Sequence, residues 1–265
     1  VSMSSDGSVS LEMIQHLRER FSQDPTNKLL QNALSNGHLI DVALDRDIVQ
    51  STDSSFSTKL DSWTATNQRS SGRCWLFAAL NLFRPGAMDM MNMKDFEFSQ
   101  AHIHFWDKFE RSNCFLESMI ELGNRDIGDR TVHFLLSDPI GDGGQWTMAM
   151  NLIRKHGLVP KSAFPESKSS SATRWMNASL KDLLRSSACE LRDMISRDVG
   201  LEEVRARKKE MIGGVWRLLC MHLGTPPERF SWQWRDKDDV FHRKGEMTPL
   251  EFSSQFVSVD WDDYV

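Results

Sequence analysis

The sequence has 265 residues, 40% of them hydrophobic and 26% charged, which is enough to bury one substantial core with smaller attached pieces. A net charge of −5 forces no nucleic-acid surface and marks no solvating acidic tail, and no window approaches the ~18 uninterrupted apolar residues of a membrane helix. The polar, Ser-rich stretch 1–10 has no secretion-signal pattern, so a soluble, cytoplasmic protein is expected, with Cys74, Cys114, Cys189 and Cys220 reduced and the sequon at Asn177 unused. Without a CxxC pair or a zinc spacing, neither metal nor cofactor is expected.

Taken in chain order, Ser10 opens an amphipathic run with Leu11, Ile14, Leu17 and Phe21 at helical spacing, stopped by Asp24-Pro25. A second helix is predicted over Asn27 to Leu34, closed by Asn36-Gly37, and the stretch from His38 to Ser62 is predicted to be extended. From Cys74 to Phe83 the residues are apolar almost all round, which describes a helix buried on most faces, and Pro85-Gly86 is expected to end or kink it. A helix follows from Ser99 to about Leu116. The Asp138-Pro139 to Gly143-Gly144 segment is a tight loop, and a further helix runs from Gln145 to Lys155. Beyond the polar hinge Ser167 to Ser171 come two charged helices, Ala172 to about Arg197 and Leu201 to Leu223, which read as a separate helical hairpin. Phe230, Trp232 and Trp234 alternate as in a half-buried strand, and Thr248-Pro249-Leu250-Glu251 has the form of a capping box.

The chemistry is concentrated in Asn67-Gln68-Arg69-Ser70-Ser71-Gly72-Arg73-Cys74-Trp75-Leu76-Phe77. A cysteine in the first turn of a helix faces unsatisfied backbone N–H groups and the positive end of the helix dipole, an environment that favours a thiolate nucleophile. Gly72 lets the chain turn tightly into the helix. Gln68 can bring an amide N–H beside the cysteine, and with the Cys74 backbone N–H it would form an oxyanion hole for acyl transfer. A lone cysteine before an apolar helix is more often an inert core thiol, so the string as a whole carries the reading. Gln, five intervening residues and Cys-Trp match the signature around the papain-type nucleophile.

In its narrower form the window resembles bleomycin hydrolase and aminopeptidase C. The resemblance continues in order through Phe96-Glu97-Phe98-Ser99-Gln100, Phe105-Trp106-Asp107-Lys108, Asp142-Gly143-Gly144-Gln145-Trp146, Gly157-Leu158-Val159-Pro160-Lys161, Phe164-Pro165-Glu166-Ser167, Ala172-Thr173-Arg174-Trp175-Met176-Asn177, Leu223-Gly224-Thr225-Pro226-Pro227 and Trp234-Arg235-Asp236-Lys237-Asp238. It implies an α+β, papain-like cysteine peptidase, here mainly its helical half. An N-terminal hook segment (1–64) precedes the helical half of the peptidase domain (65–165), a helical insertion (166–228) and a partial return segment (229–265).

The resemblance also implies that Cys74 is acylated, that Gln68 serves the oxyanion hole, and that Trp75 and the Asp142-Gly143-Gly144 loop line the substrate site. Asp142 stands where papain-like enzymes carry asparagine. Peptide N-termini and amides such as that of bleomycin are the implied substrates, and a barrel-shaped homohexamer with a C-terminal arm is the implied assembly. Nucleic-acid binding, known in some relatives, has one local candidate here, the basic run Arg205 to Lys209, for which a solvated helix face is the default.

The pattern departs from the family in one respect: a papain-like site needs a histidine and an orienting asparagine, and none of the eight histidines stands in a matching motif. His102 and His104, two apart on a helix, point to different faces and are expected to be core or surface residues. Two readings therefore stand. In one the sequence is a portion of a longer aminopeptidase, inactive alone because the C-terminal half is absent. In the other it is a truncated, non-catalytic interaction protein that binds intact subunits or nucleic acid.

Overall fold

The computed structural model describes residues 9–53 and 64–257. Two compact units divide the chain, 1–59 and 60–265. In the first, α1 (Leu11–Gln23) is capped by the Ser10 hydroxyl and α2 (Pro25–Asn36) by the Asp24 carboxylate, with Pro25 at the first turn. The His38 to Ser62 segment expected to be extended instead forms two short helices where it is described, α3 (Leu39–Ala43) and α4 (Arg46–Ser51); residues 54–62 lie outside the described residues. Asp45 explains the second of these, because its carboxylate accepts from the N–H groups of Asp47 and Ile48 and starts a turn that periodicity does not reveal. None of these four helices has a buried residue, and Leu11, Leu29 and Ile40 are largely exposed.

The second unit is built around α5 (Cys74–Met91) and α6 (Gln100–Glu121). After α6 come α7 (Arg130–Ser137), α8 (Trp146–His156) and the short α9 (Lys168–Ser171). The long pair α10 (Arg174–Ser196) and α11 (Leu201–Leu223) precedes β1 (Phe230–Arg235), β2 (Phe241–Met247) and α12 (Pro249–Phe256). Helix α6 packs against α5, α8, α10 and α11, so the α10–α11 pair shares a core with the neighbour of α5. Leu180, Leu184, Ala188 and Leu191 recur on one face of α10, and Val204, Met211, Val215 and Leu219 on one face of α11, all buried. The strands pair antiparallel, with an irregular register after Trp232. Trp232 joins Phe96, Phe98 and Phe252 in an aromatic cluster with edge-on contacts.

Of the two outcomes expected at Pro85, an end or a kink, the first does not occur: α5 runs on through it. The apolar face continues past it with Ala87, Met88 and Met91 buried, and this packing outweighs the lost backbone hydrogen bond; the helix ends where Asn92 adopts the left-handed conformation. The methionines after Pro85 thus serve packing, although Met90 is exposed. The predicted burial on most faces holds for Leu76, Phe77, Ala79, Leu80 and Phe83, whereas Ala78 and Leu82 are exposed and leave one side open. The capping box at Thr248 is present in both its hydrogen bonds.

His102 and His104 are core residues, 1% and 2% exposed. Burial pushes the His102 imidazole down to about 4, and burial followed by the charges of Lys108, Arg73 and Arg111 holds His104 well below the usual range. Both are neutral in the fold at pH 7. Because their folded values lie below the unfolded value near 6.5, the unfolded chain takes up protons first on acidification. Stability is therefore full above pH 6.5 and falls between pH 6.5 and 4, by about 3 kcal/mol for His102 alone. Urea unfolding across this window should show the slope, and His102→Phe should flatten it by about one proton; an unchanged slope would mean that His102 is not the group excluded.

Candidate active site

Cys74 is the first residue of α5 and is exposed, and no side chain caps the amides of that turn. The loop leading to it is heavily cross-linked. The Gln68 side-chain amide donates to the Ser71 carbonyl at 2.9 Å, and the Ser71 hydroxyl donates back to the Gln68 carbonyl at 2.6 Å. One Gln68 N–H is thus used to fix its orientation, and an amide has a second. Arg73, 1% exposed, donates to the Ser71 hydroxyl and forms a forked pair with Glu166 at 2.8 and 3.0 Å. The backbone N–H of Ser70 donates to Ser171, and that of Thr173 donates to Ser70. The segment entering α10 therefore holds the turn that presents Cys74.

The loop carrying Asp142, Gly143 and Gly144 lies directly against this turn. A Cβ on Gly72 would fall 2.3 Å from the Asp142 side chain, and one on Gly144 2.8 Å from the Trp75 ring, so both positions require glycine for close approach. The structure thereby places Gln68, Gly72, Cys74 and Trp75 on one turn and helix start and sets the Asp142-Gly143-Gly144 loop against Gly72 and Trp75. Beside them a cavity of about 490 Å³ is lined by Ser70, Gly72, Asp142, Thr173, Asn177 and Lys181. Asn177, the sequon asparagine, is buried there and donates to Asp142.

Sequence reasoning missed the charges beneath the loop. The Lys108 ammonium, 1% exposed, donates to the Asp142 carboxylate at 2.9 Å and to the carbonyls of Ile140 and Gly141 at 3.2 Å. The acid at 142 gives this buried ammonium a directly paired counter-charge, which asparagine would not supply. Arg111 pairs with Asp107 at 2.7 Å, donates to the Gly143 carbonyl and lies 5.9 Å from the centre of the Trp75 ring. Burial pushes the Asp107 carboxyl up, opposed by the charges of Arg111 and Lys108. The acid at 142 was the available signal that a cation lies below it.

Among the described residues no histidine pairs with Cys74: His156 bonds to Glu110, His222 to Ser169 and His242 to Asp236. No cluster of described residues is arranged to hold a metal ion, no described helix is long and apolar enough to cross a membrane, and all four cysteines are unpaired. In the basic run, Arg205 and Lys208 pair with Glu117, and Arg207 pairs with Glu190 and Glu210.

A helix-borne, exposed cysteine with an upstream glutamine and a facing Gly-Gly loop defines the helical half of a papain-like cysteine peptidase. A family model described as the Peptidase C1-like family matches residues 8–265, and the chain belongs to that family. It is similar to an aminopeptidase C of Streptococcus thermophilus, 40% identical over 97% of this chain and 58% of the relative. Its identity to a human bleomycin hydrolase is 39%, over 96% of this chain and 57% of the relative. A crystal structure of PepW from Lactobacillus rhamnosis superposes with a TM-score of 0.91 at 36% identity, covering 97% of this chain and 58% of that one. The chain thus spans a little over half the length of these relatives.

Proposed function

We propose that this chain carries the nucleophile-bearing part of a cysteine-type aminopeptidase of the bleomycin hydrolase kind. The observation that carries the reading is an exposed Cys74 at the N-terminus of α5, entered through a turn that the Gln68 side chain braces at Ser71 and that packs against the Asp142-Gly143-Gly144 loop. In this reading the Cys74 Sγ attacks the carbonyl carbon of the substrate's N-terminal amide bond. The oxyanion is met by the second Gln68 N–H and the Cys74 backbone N–H, and collapse of the tetrahedral intermediate expels the amine to leave a thioester. Water then hydrolyses that thioester. An imidazole must take the thiol proton and return it to the leaving amine, and we assign it to the part of the relatives' length that this chain does not span. The chain alone is therefore expected to be inactive or nearly so. A cytoplasmic setting and a homohexamer complete the proposal.

A second reading, a non-catalytic protein that binds intact subunits or nucleic acid, is favoured by the lack of a histidine paired with Cys74 among the described residues. The carboxylate partners of Arg205, Arg207 and Lys208 weaken its nucleic-acid form. The deciding experiment completes the chain with the part of the Streptococcus thermophilus relative that it does not span, and assays amino-acid coumarin amides. The expected result is turnover by the completed protein and none by the chain alone. A folded, completed protein without turnover would overturn the peptidase reading.

A further inference from the structure

We infer that Lys108 and Arg111 are positioning residues that set the peptide-binding edge of this site, an inference that rests on the peptidase reading above. Both lie on α6, one turn apart, and reach the same loop from below. Lys108 gathers three consecutive acceptors, the carbonyls of Ile140 and Gly141 and the carboxylate of Asp142. Arg111 takes the next one, the Gly143 carbonyl, with its guanidinium oriented by Asp107 and set over Trp75. The Gly143 N–H is spent on the Gly72 carbonyl at 3.4 Å. Every residue from 140 to 143 is thus tied inward, toward α6 or the Cys74 turn.

Gly144 is the exception, since its N–H and C=O make no hydrogen bond among the described residues. It is also the residue held against Trp75, directly after Cys74. A backbone donor and acceptor on one glycine, left unpaired beside a nucleophile, match the two bonds that an extended peptide backbone makes with a neighbouring strand. A flexible Gly-Gly loop would not hold that register unaided, because glycine has the widest conformational freedom to lose. Lys108 and Arg111 remove that freedom from below, and leave no Cβ in the peptide's path.

The test compares two alkylating agents on the 265-residue chain. Acetyl-dialanyl chloromethyl ketone and chloroacetone both alkylate by displacement of chloride by the Cys74 sulfur, but only the first has a backbone for Gly144 to pair with. Site-resolved mass spectrometry separates Cys74 from Cys114 and Cys189, which serve as internal controls. The wild-type chain is expected to favour the peptidyl reagent at Cys74. In Arg111→Gln, and in Lys108→Met, that preference should fall about tenfold while the chloroacetone rate changes less than twofold.

A purely structural loss would move both rates together and would overturn the proposal, as would a preference unchanged in either folded variant. A wild-type chain without any preference would overturn the peptide-binding reading itself, and the positioning roles with it. Arg111→Lys, which keeps the charge without the fork that spans Asp107 and Gly143, should recover little of the preference; full recovery would show that charge alone suffices and would refute positioning by the guanidinium.

Discussion

Cys74→Ala in the completed enzyme is expected to lower kcat/KM for an amino-acid coumarin amide by about 10⁴-fold or more. The size follows from the loss of the covalent route, since removing one member of a nucleophile–base unit costs nearly as much as removing the unit. The fold should survive, because Cys74 is exposed and pairs with no other cysteine. Circular dichroism and the urea midpoint are therefore expected to be unchanged while turnover falls to background. Retention of more than about 1% of wild-type activity in a sample free of wild-type contamination would rule out Cys74 as the nucleophile, and Cys114 and Cys189, exposed as well, would be examined next.

The second large effect is at Gln68. Removal of one oxyanion donor lowers kcat by about 10²–10³-fold with little change in KM, because the donor meets charge that develops only in the transition state. Gln68→Ala is expected to behave in this way. The neighbouring hydrogen bonds sharpen the experiment: the Ser71 hydroxyl bonds to the Gln68 backbone carbonyl, and Arg73 holds Ser71, so the alanine variant keeps the turn while losing the amide. Gln68→Glu should be no better than alanine, since a carboxylate has no N–H to offer. A rise in KM with an unchanged kcat would instead make Gln68 a ground-state contact.

The proposed nucleophile stands out in the sequence because its signature is local. Gln68, Gly72, Cys74 and Trp75 fall within eight residues, and each has a reason to be its own residue type. The long helices α10 and α11 were legible too, because an amphipathic period is bounded by Gly200, Gly224 and the Pro226-Pro227 stop. The passage of α5 through Pro85 was not, since burial of Met88 and Met91 against other elements decides it. Strand β2 was also hidden: Phe241 to Glu246 are exposed or half-buried, so no apolar alternation marks the strand and only its pairing with β1 defines it. The framework of the site is the clearest case. Lys108 and Asp142 are 34 residues apart and Arg73 and Glu166 are 93 apart, and no spacing rule joins such partners.

That framework has a further consequence. Arg73, Lys108 and Arg111 face Glu166, Asp142 and Asp107, three cations against three carboxylates. Dissolved ions screen charges that water can reach, over about 8 Å at physiological strength, and reach buried pairs far less. The exposed pairs of Arg207 with Glu190 and Glu210 weaken as salt is added, so the outer face of α11 responds to ionic strength. Around Cys74 the cations Arg73 and Lys108 are each 1% exposed and each has a carboxylate of its own, so the shape of that turn and loop is expected to respond less to added salt than the outer face of α11.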